Sequence, residues 1–241
     1  MRLALRKSPL ITTLVLLLSM LLPLEGIAGG QETATIWSAV QVLEDILNEP
    51  DEDSIPASLL QQGDGVVILP GMLSVGWGVG LSHGSGIMLF RQGEGWNDPV
   101  FVSMSGASVG YQIGAQSSDL ILSFKRPYSI DSLLDGKLTL GVDAAISAGP
   151  VGRDATLATD TSLDSEIYSW SRSRGLFVGV ALDGSALTID EEANSAFYDQ
   201  PGITTEEIIK RPVKNRSSGL RRLKELLNQK TESQKVGETG E

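Results

Sequence analysis

Apolar and polar residues alternate along much of the chain after residue 65. In residues 106–116 every odd position is apolar, and every even position is Gly, Ser or Gln. A period of two over this length predicts a β-strand with two chemically different faces. The parity reverses after Asp119, where Leu120, Leu122 and Phe124 become the apolar positions. We therefore predict a bulge or turn that resets the register there.

Shorter stretches with the same alternation predict several more strands. They cover residues 66–69, 76–81, 87–91, 137–148 and 167–173. Apolar positions before and after Asp183-Gly184, in residues 176–189, predict a β-hairpin with a two-residue turn. Short strands at this close spacing predict an α+β fold built on a β-rich, curved antiparallel sheet or partial barrel.

A period near 3.6 in residues 33–47 predicts an N-terminal amphipathic helix. Its apolar face consists of Ile36, Trp37, Val40, Leu43 and Leu47. Short packing helices are predicted over residues 56–62, 130–134 and 191–198, the last with Asp190 as its N-cap.

The first 28 residues have the order of a secretory signal peptide. Arg2, Arg6 and Lys7 precede an apolar run over residues 9–24, and small residues lead to a cleavage site near Ala28. An uncleaved membrane anchor is the alternative, but this run is shorter than the roughly 20 residues that a spanning helix needs. We expect an exported protein of the periplasm or cell envelope, or a secreted one.

One core domain followed by a tail is the simplest organisation of the remaining chain. The domain covers residues 31–200, and residues 203–241 are predicted to be a basic, polar and partly disordered tail. Within that tail, four apolar positions also allow a short amphipathic helix: Leu220, Leu223, Leu226 and Leu227. The chain has no cysteine, so the stability of the exported fold must come from packing.

The formal net charge is −11, which argues against nucleic-acid binding because phosphate contacts need a basic surface. The C-terminal segment is the exception, because residues 210–224 contain seven bases and no acid. These bases are Lys210, Arg211, Lys214, Arg216, Arg221, Arg222 and Lys224. A protein-interaction scaffold that docks an acidic partner through them is therefore an alternative function.

The GASVG motif at residues 106–110 fits the G-x-S-x-G spelling of a serine-hydrolase nucleophile elbow around Ser108. That elbow needs a sharp turn between a strand and a helix, whereas the alternation continues straight through Ser108. The only histidine, His83, precedes the serine in a Gly/Ser-rich turn, and it has no cysteine or second histidine with which to bind a metal. We predict no catalytic residue, no metal site and no cofactor.

Aromatic and basic residues share one face of residues 166–174 if this segment is a strand. Tyr168, Trp170, Arg172 and Arg174 are the residues on that face. Aromatic and guanidinium groups together can hold an anionic lipid headgroup. An ordinary cross-strand ladder, paired with acids nearby, is the alternative. Further headgroup candidates are Lys125, Arg126 and Arg153.

Six segments, in order along the chain, resemble the SYLF domain family. They are GVVILP (65–70), GWNDP (95–99), SGASVGYQIGAQ (105–116), GKLTLG (136–141), AGPVGR (148–153) and EIYSWSRSRGLF (166–177). The resemblance implies a non-enzymatic lipid-binding module, with phosphoinositide binding in fungal and animal members and actin binding in fungal ones.

The family's membrane-contacting N-terminal segment corresponds here to residues 33–47, which contain no Lys or Arg and carry Glu44 and Asp45. Basic residues near a membrane surface each add about 1 kcal/mol of attraction to anionic lipid. We therefore expect contact with phospholipid or a membrane surface without phosphoinositide selectivity from this helix. An exported protein would not meet actin, so we expect no actin binding.

Overall fold

The structure is a computed structural model. It describes residues 30–48, 55, 63–93, 95–125, 133, 136–150, 165–173, 176–179, 182–210 and 217–235. The predicted signal peptide and the helix predicted over residues 56–62 lie outside these ranges. Of the helix predicted over residues 130–134, only Leu133 is described, and it is helical and buried.

Two long strands dominate the sheet. β1 (Gly65–Gln92) and β3 (Val100–Phe124) pair antiparallel along nearly their whole length. The short β2 (Gly95–Trp96) pairs with the end of β1. The three strands predicted between residues 66 and 91 are therefore one continuous strand. His83 lies within that strand, so its predicted position in a turn is wrong.

The predicted register change occurs beside Asp119, and the extra residue belongs to the neighbouring strand. The pairing shifts between Leu69 and Met72, which makes Pro70-Gly71 a bulge of β1. Gly71 has a φ of 61°, which favours glycine, and its N–H donates to the Asp119 carboxylate at 2.9 Å. The carboxylate thus holds the bulge in place.

The ribbon formed by β1 and β3 bends back on itself, so that two stretches of β1 pack against each other. A Cβ at Gly84 would lie 3.1 Å from Met72, and a Cβ at Gly86 would overlap the carbonyl oxygen of Ile68. Glycine is required at position 86 because only a residue without a side chain allows so close an approach.

Five short strands extend the sheet beyond the ribbon. They are β4 (Lys137–Thr139), β5 (Ile146–Ala148), β6 (Ile167–Ser173), β7 (Leu176–Gly179) and β8 (Ala186–Ile189). β6 pairs antiparallel with β3 and β7 and parallel with β5, while β8 pairs with β3 and β4. The result is a strongly curled, mostly antiparallel half-barrel, which confirms the predicted α+β class.

Two predicted strand arrangements are wrong. Asp183-Gly184 is a turn, but β7 and β8 on either side of it pair with different neighbours and do not form a hairpin. The strand predicted over residues 137–148 is interrupted by a turn in which the Thr139 N–H donates to Asp143 at 2.6 Å. Alternation describes each strand locally, whereas its neighbours in the sheet depend on contacts distant in sequence.

Besides Leu133, the described helical residues form four helices. They are α1 (Gly30–Asn48), α2 (Glu191–Phe197), α3 (Thr205–Lys210) and α4 (Ser218–Lys235). The first two were predicted, including the Asp190 N-cap, whose carboxylate accepts the Ala193 N–H at 3.0 Å. Residues 203–241 are not a polar tail throughout, because α4 buries the apolar residues of its predicted helix: Leu220, Leu223, Leu226 and Leu227.

The sheet separates two apolar clusters. Residues from α1, α2 and α4 form one cluster with the side chains of one sheet face, including Ile68 and Trp170. The other cluster lies across the sheet and includes Val67, Leu122 and Leu138. Neighbouring residues such as Val67 and Ile68 therefore enter different clusters, as the pleat of a strand requires.

Among the described helices, none is both long enough and apolar enough to cross a membrane.

Candidate functional site

The predicted lipid-binding face of α1 lies largely inside the protein. Ile36, Val40 and Leu43 are at most 4 % exposed. They belong to the apolar cluster that α1, α2 and α4 form with one face of the sheet, which we call the helix-side core. Trp37 is 43 % exposed, and the side chain of Leu47 lies outside the described part of the chain. In this conformation the face stabilises the fold. Lipid contact by α1 stays a prediction and, among the described side chains of this face, rests on Trp37.

α4 covers α1 and is held there by two ion pairs. Arg222 donates from Nε and Nη2 to the Glu44 carboxylate of α1 at 2.9 and 2.7 Å. Lys224 Nζ lies 2.5 Å from Asp98 Oδ1, in the connection between β2 and β3. Gly219 allows the two helices to approach, since a Cβ there would already lie 3.2 Å from side-chain atoms of α1. Two predicted docking bases thus have partners within the fold.

The other C-terminal bases differ in their surroundings. Lys210 pairs with Glu206 one turn away at 3.0 Å, and both side chains are largely exposed. Arg221 is exposed on α4. The bases outside the described residues are Arg211, Lys214 and Arg216. Docking of an acidic partner through this segment stays a prediction, with Arg221 as its best described candidate.

The GWNDP segment, residues 95–99, forms the socket that receives Lys224. Asp98 is only 7 % exposed, so the carboxylate of its ion pair with Lys224 is shielded from water. Next to it, the Asn97 side chain accepts the Phe90 N–H at 2.6 Å. The sequence showed this motif only as a mark of resemblance, because its partner, Lys224, lies far along the chain.

Tyr198 completes the socket from the end of α2. Its hydroxyl donates to the Pro99 carbonyl at 2.5 Å. Burial, reinforced by the negative charge of Asp98, raises the pKa of Tyr198 far above its ordinary value. The hydroxyl therefore stays protonated and acts as a structural donor.

The aromatic headgroup candidates on β6 are core residues. Tyr168 and Trp170 are at most 2 % exposed. The Trp170 indole donates from Nε1 to the Pro150 carbonyl at 2.9 Å, and a Cβ at Gly149 would overlap its ring. An indole enclosed in this way has no surface on which a lipid headgroup can stack.

Arg172 adopts the alternative that the sequence allowed, a cross-strand ladder. It lies opposite Asp119 of β3, with Nε 3.3 Å from that carboxylate, and Nη2 is 2.5 Å from Asp45 of α1. Lys125 Nζ lies 5.1 Å from the centre of the Tyr168 ring. The headgroup candidates outside the described residues are Arg126, Arg153 and Arg174. The two ion pairs of Arg172, with Asp119 and Asp45, thus connect β3, β6 and α1.

Ser108 lies on an uninterrupted strand, opposite Gly80 of β1. The sharp turn of a nucleophile elbow is not present at this point of β3. His83 lies opposite Ser105, and its Nδ1 is 2.9 Å from the Ser105 hydroxyl. The histidine thus pairs with a different serine from the one in the motif. In the part of the chain that the structure describes, no three His, Asp or Glu side chains group as metal ligands.

The bend of the ribbon exposes apolar side chains to solvent. Leu73, Val75 and Leu81 of β1 are 51, 43 and 61 % exposed. Ala115 and Ala107 of β3 lie opposite Val75 and Leu81 and are exposed as well. We call these five residues the outer ribbon face. Sequence reasoning missed it because an apolar strand face is normally the buried one.

The inner side of the ribbon explains this inversion. At Gly106 an added Cβ would lie 2.7 Å from the Ser185 hydroxyl and 2.8 Å from that of Ser82. Gly106 thus allows the close approach of its cross-strand partner Ser82 and of Ser185, which directly precedes β8. The small side is therefore turned inward at Gly106 and Ala107 outward, whereas at the other end of the motif Gly114, Ala115 and Gln116 are all exposed.

Comparisons with known proteins give consistent matches. A family model described as "Ysc84: Las17-binding protein actin regulator" matches residues 105–230, which include most of α4. SH3 domain-containing YSC84-like protein 1 of Xenopus laevis is 32 % identical over 195 residues, covering 79 % of this chain and 57 % of that protein. Protein YSC84 of Saccharomyces cerevisiae is 34 % identical over 148 residues, or 60 % of this chain and 31 % of that protein. The chain thus spans less than two thirds of either relative.

Proposed function

Because the chain belongs to the Ysc84 family of SYLF-domain proteins, we propose that it is a non-enzymatic protein that binds phospholipid surfaces in the cell envelope. The observation that carries this proposal is the outer ribbon face, where large apolar side chains are exposed on a chain of net charge −11. Contiguous exposed apolar surface is typical of sites that contact membranes or other proteins.

The mode of binding is apolar rather than basic. Arg172 and Arg222 are paired with carboxylates, and Lys224 is paired with a buried one. A base that is neutralised within the fold adds little attraction to an anionic headgroup. Contacts between charges at a surface weaken with salt, whereas apolar burial does not. Binding should therefore depend weakly on ionic strength.

Vesicle co-sedimentation tests this function. Neutral phosphatidylcholine vesicles and vesicles containing an anionic lipid are compared at low and high salt. We expect binding to the neutral vesicles that changes little with salt. If the protein binds neither vesicle, the proposed function is wrong. Binding only to anionic vesicles and only at low salt would indicate basic contacts instead.

The place of action follows from the N-terminal segment. We propose that the chain is exported and cleaved after Ala28, because charged, apolar and small residues follow one another in the order of a signal peptide. Mass spectrometry of the protein isolated from the envelope fraction checks this. A mature chain that begins after residue 28 is expected, and a retained N-terminus would show an anchor.

A protein partner is the second candidate, favoured by the relatives whose names include "LAS seventeen-binding protein 3". For this chain we propose an acidic partner that contacts Arg221, which is exposed on α4. The substitution Arg221→Glu should remove partners captured from an envelope extract, whereas Lys210→Glu, on a different helix, should retain them. If Arg221→Glu captures the same partners as the parent, this candidate fails.

A further inference from the structure

The outer ribbon face has two described parts, one on each side of the bend. Leu73 and Val75 precede the bend and are two residues apart, so their side chains lie on one face of β1, whereas Leu81 follows the bend. Ala115 lies opposite Val75 in the first part, and Ala107 lies opposite Leu81 in the second. Apolar side chains of β1 and an alanine of β3 are therefore exposed on both sides of the bend.

Both strands are free of formal charge around this face. Residues 71–90 of β1 and residues 99–118, almost all in β3, contain no Asp, Glu, Lys or Arg, although these residues make up 20 % of the chain. Protein interfaces surround an apolar centre with a polar and charged rim that selects the partner. This face lacks charges of either sign, whereas the apolar boundary of a bilayer requires none.

The backbone of the ribbon suits a shallow position in lipid. β1 and β3 pair on both sides of the bend, with one register shift between Trp77 and Val79 at which Gly78 and residues 110–112 fall outside the paired register. Paired peptide groups avoid the cost of entering an apolar medium without hydrogen bonds. The outer edges of the ribbon at the bend have no partner among the described strands, so its depth is limited to the region where headgroups and water still reach them.

We propose that the bend of the ribbon enters the boundary between the headgroups and acyl chains of a phospholipid bilayer, with the outer ribbon face as its contact surface. This inference rests on the proposed lipid binding and places the contact on the ribbon instead of on α1. Apolar burial at this depth does not need an anionic headgroup. Because the chain has a net charge of −11, strongly anionic bilayers are the poorer target.

Substitution of exposed leucines tests the site. The double variant Leu73→Ser/Leu81→Ser should partition into phosphatidylcholine vesicles about tenfold more weakly, or less still, since two leucine side chains no longer leave water. Val142→Ser is the matched control, because Val142 is 75 % exposed but lies in the turn after β4. Trp37→Ser tests the competing site on α1. Neither control should change partitioning by more than about twofold. Leu73, Leu81 and Val142 are at least half exposed, whereas Trp37 also contacts α4 near Gly219, so thermal unfolding is measured for every variant to verify the fold.

A fluorescent label gives a second readout that does not depend on affinity. The chain has no cysteine, so Leu81→Cys and Val142→Cys each accept one environment-sensitive dye. Vesicles should shift the emission to the blue at position 81 and leave it unchanged at position 142.

The possible outcomes separate this site from lipid binding itself. If the parent binds vesicles while the double variant binds equally well, the site is wrong and the proposed function stands. If only Trp37→Ser loses vesicle binding, the lipid contact lies on α1 and not on the ribbon. If the parent binds no vesicle, both proposals fail. A blue shift at position 81 without vesicles, accompanied by a doubling of the mass, would assign the face to a second copy of the chain.

Discussion

Gly149 and Trp170 are packed so closely that neither position tolerates a larger group. A Cβ at Gly149 would overlap the indole, which is fully buried and hydrogen-bonded to Pro150. We expect Gly149→Ala to lower the free energy of unfolding by about 1–3 kcal/mol, measured by denaturant titration, because the core is overpacked. Gly30→Ala, where an added Cβ meets nothing within 4 Å, should change it by less than about 0.5 kcal/mol. Equal effects would contradict this account.

Tyr198 makes the stability sensitive to alkaline pH. Burial, with the charge of Asp98, raises the pKa of Tyr198 in the folded state, while the unfolded chain releases the proton near pH 10. The contribution of this group is therefore complete below pH 10 and is lost as the pH rises further. Above pH 10 the free energy of unfolding of the parent should fall by up to about 1.4 kcal/mol per pH unit relative to Tyr198→Phe. Parallel pH profiles of the two proteins would contradict it.

At the scale of elements, α4 is attached to the sheet through the ion pair between Lys224 and the buried Asp98. Lys224→Met leaves that carboxylate without its cation, so we expect a loss of about 2–3 kcal/mol in the free energy of unfolding. Lys210→Met is the control, because its pair with Glu206 is exposed and should contribute less than about 0.5 kcal/mol. If the two variants lose the same stability, the socket does not hold α4.

At the scale of the whole molecule, α4 belongs to the core. Each buried leucine contributes about 1.5–3 kcal/mol, and four together approach the about 5–15 kcal/mol by which a typical domain is stable. A chain that ends at residue 216 should therefore lose cooperative thermal unfolding and aggregate, because Ile36 and its neighbours lose their cover. A chain that ends at residue 235 should melt like the parent. Cooperative unfolding of the shorter chain would contradict this role.

Local patterns were sufficient for much of this fold. The period of 3.6 in residues 33–47 predicted α1, Asp190 predicted the start of α2, and the change of parity beside Asp119 predicted a bulge. The alternation of residues 106–116 predicted an uninterrupted strand and so argued against a nucleophile at Ser108. These predictions succeed because a period, a cap and a turn depend on residues that are adjacent in sequence.

The sequence by itself determined the α+β class, the family and the strands, while the tertiary structure decided which faces are buried. α4 covers the apolar face of α1, the helix-side core encloses Trp170, and Arg172 forms ion pairs with two carboxylates. At Gly106 the ribbon turns its small side inward, and apolar side chains such as Leu81 are turned outward. The physical reason is that periodicity shows a strand or helix to have two different faces, but burial depends on what packs against each face from distant parts of the chain.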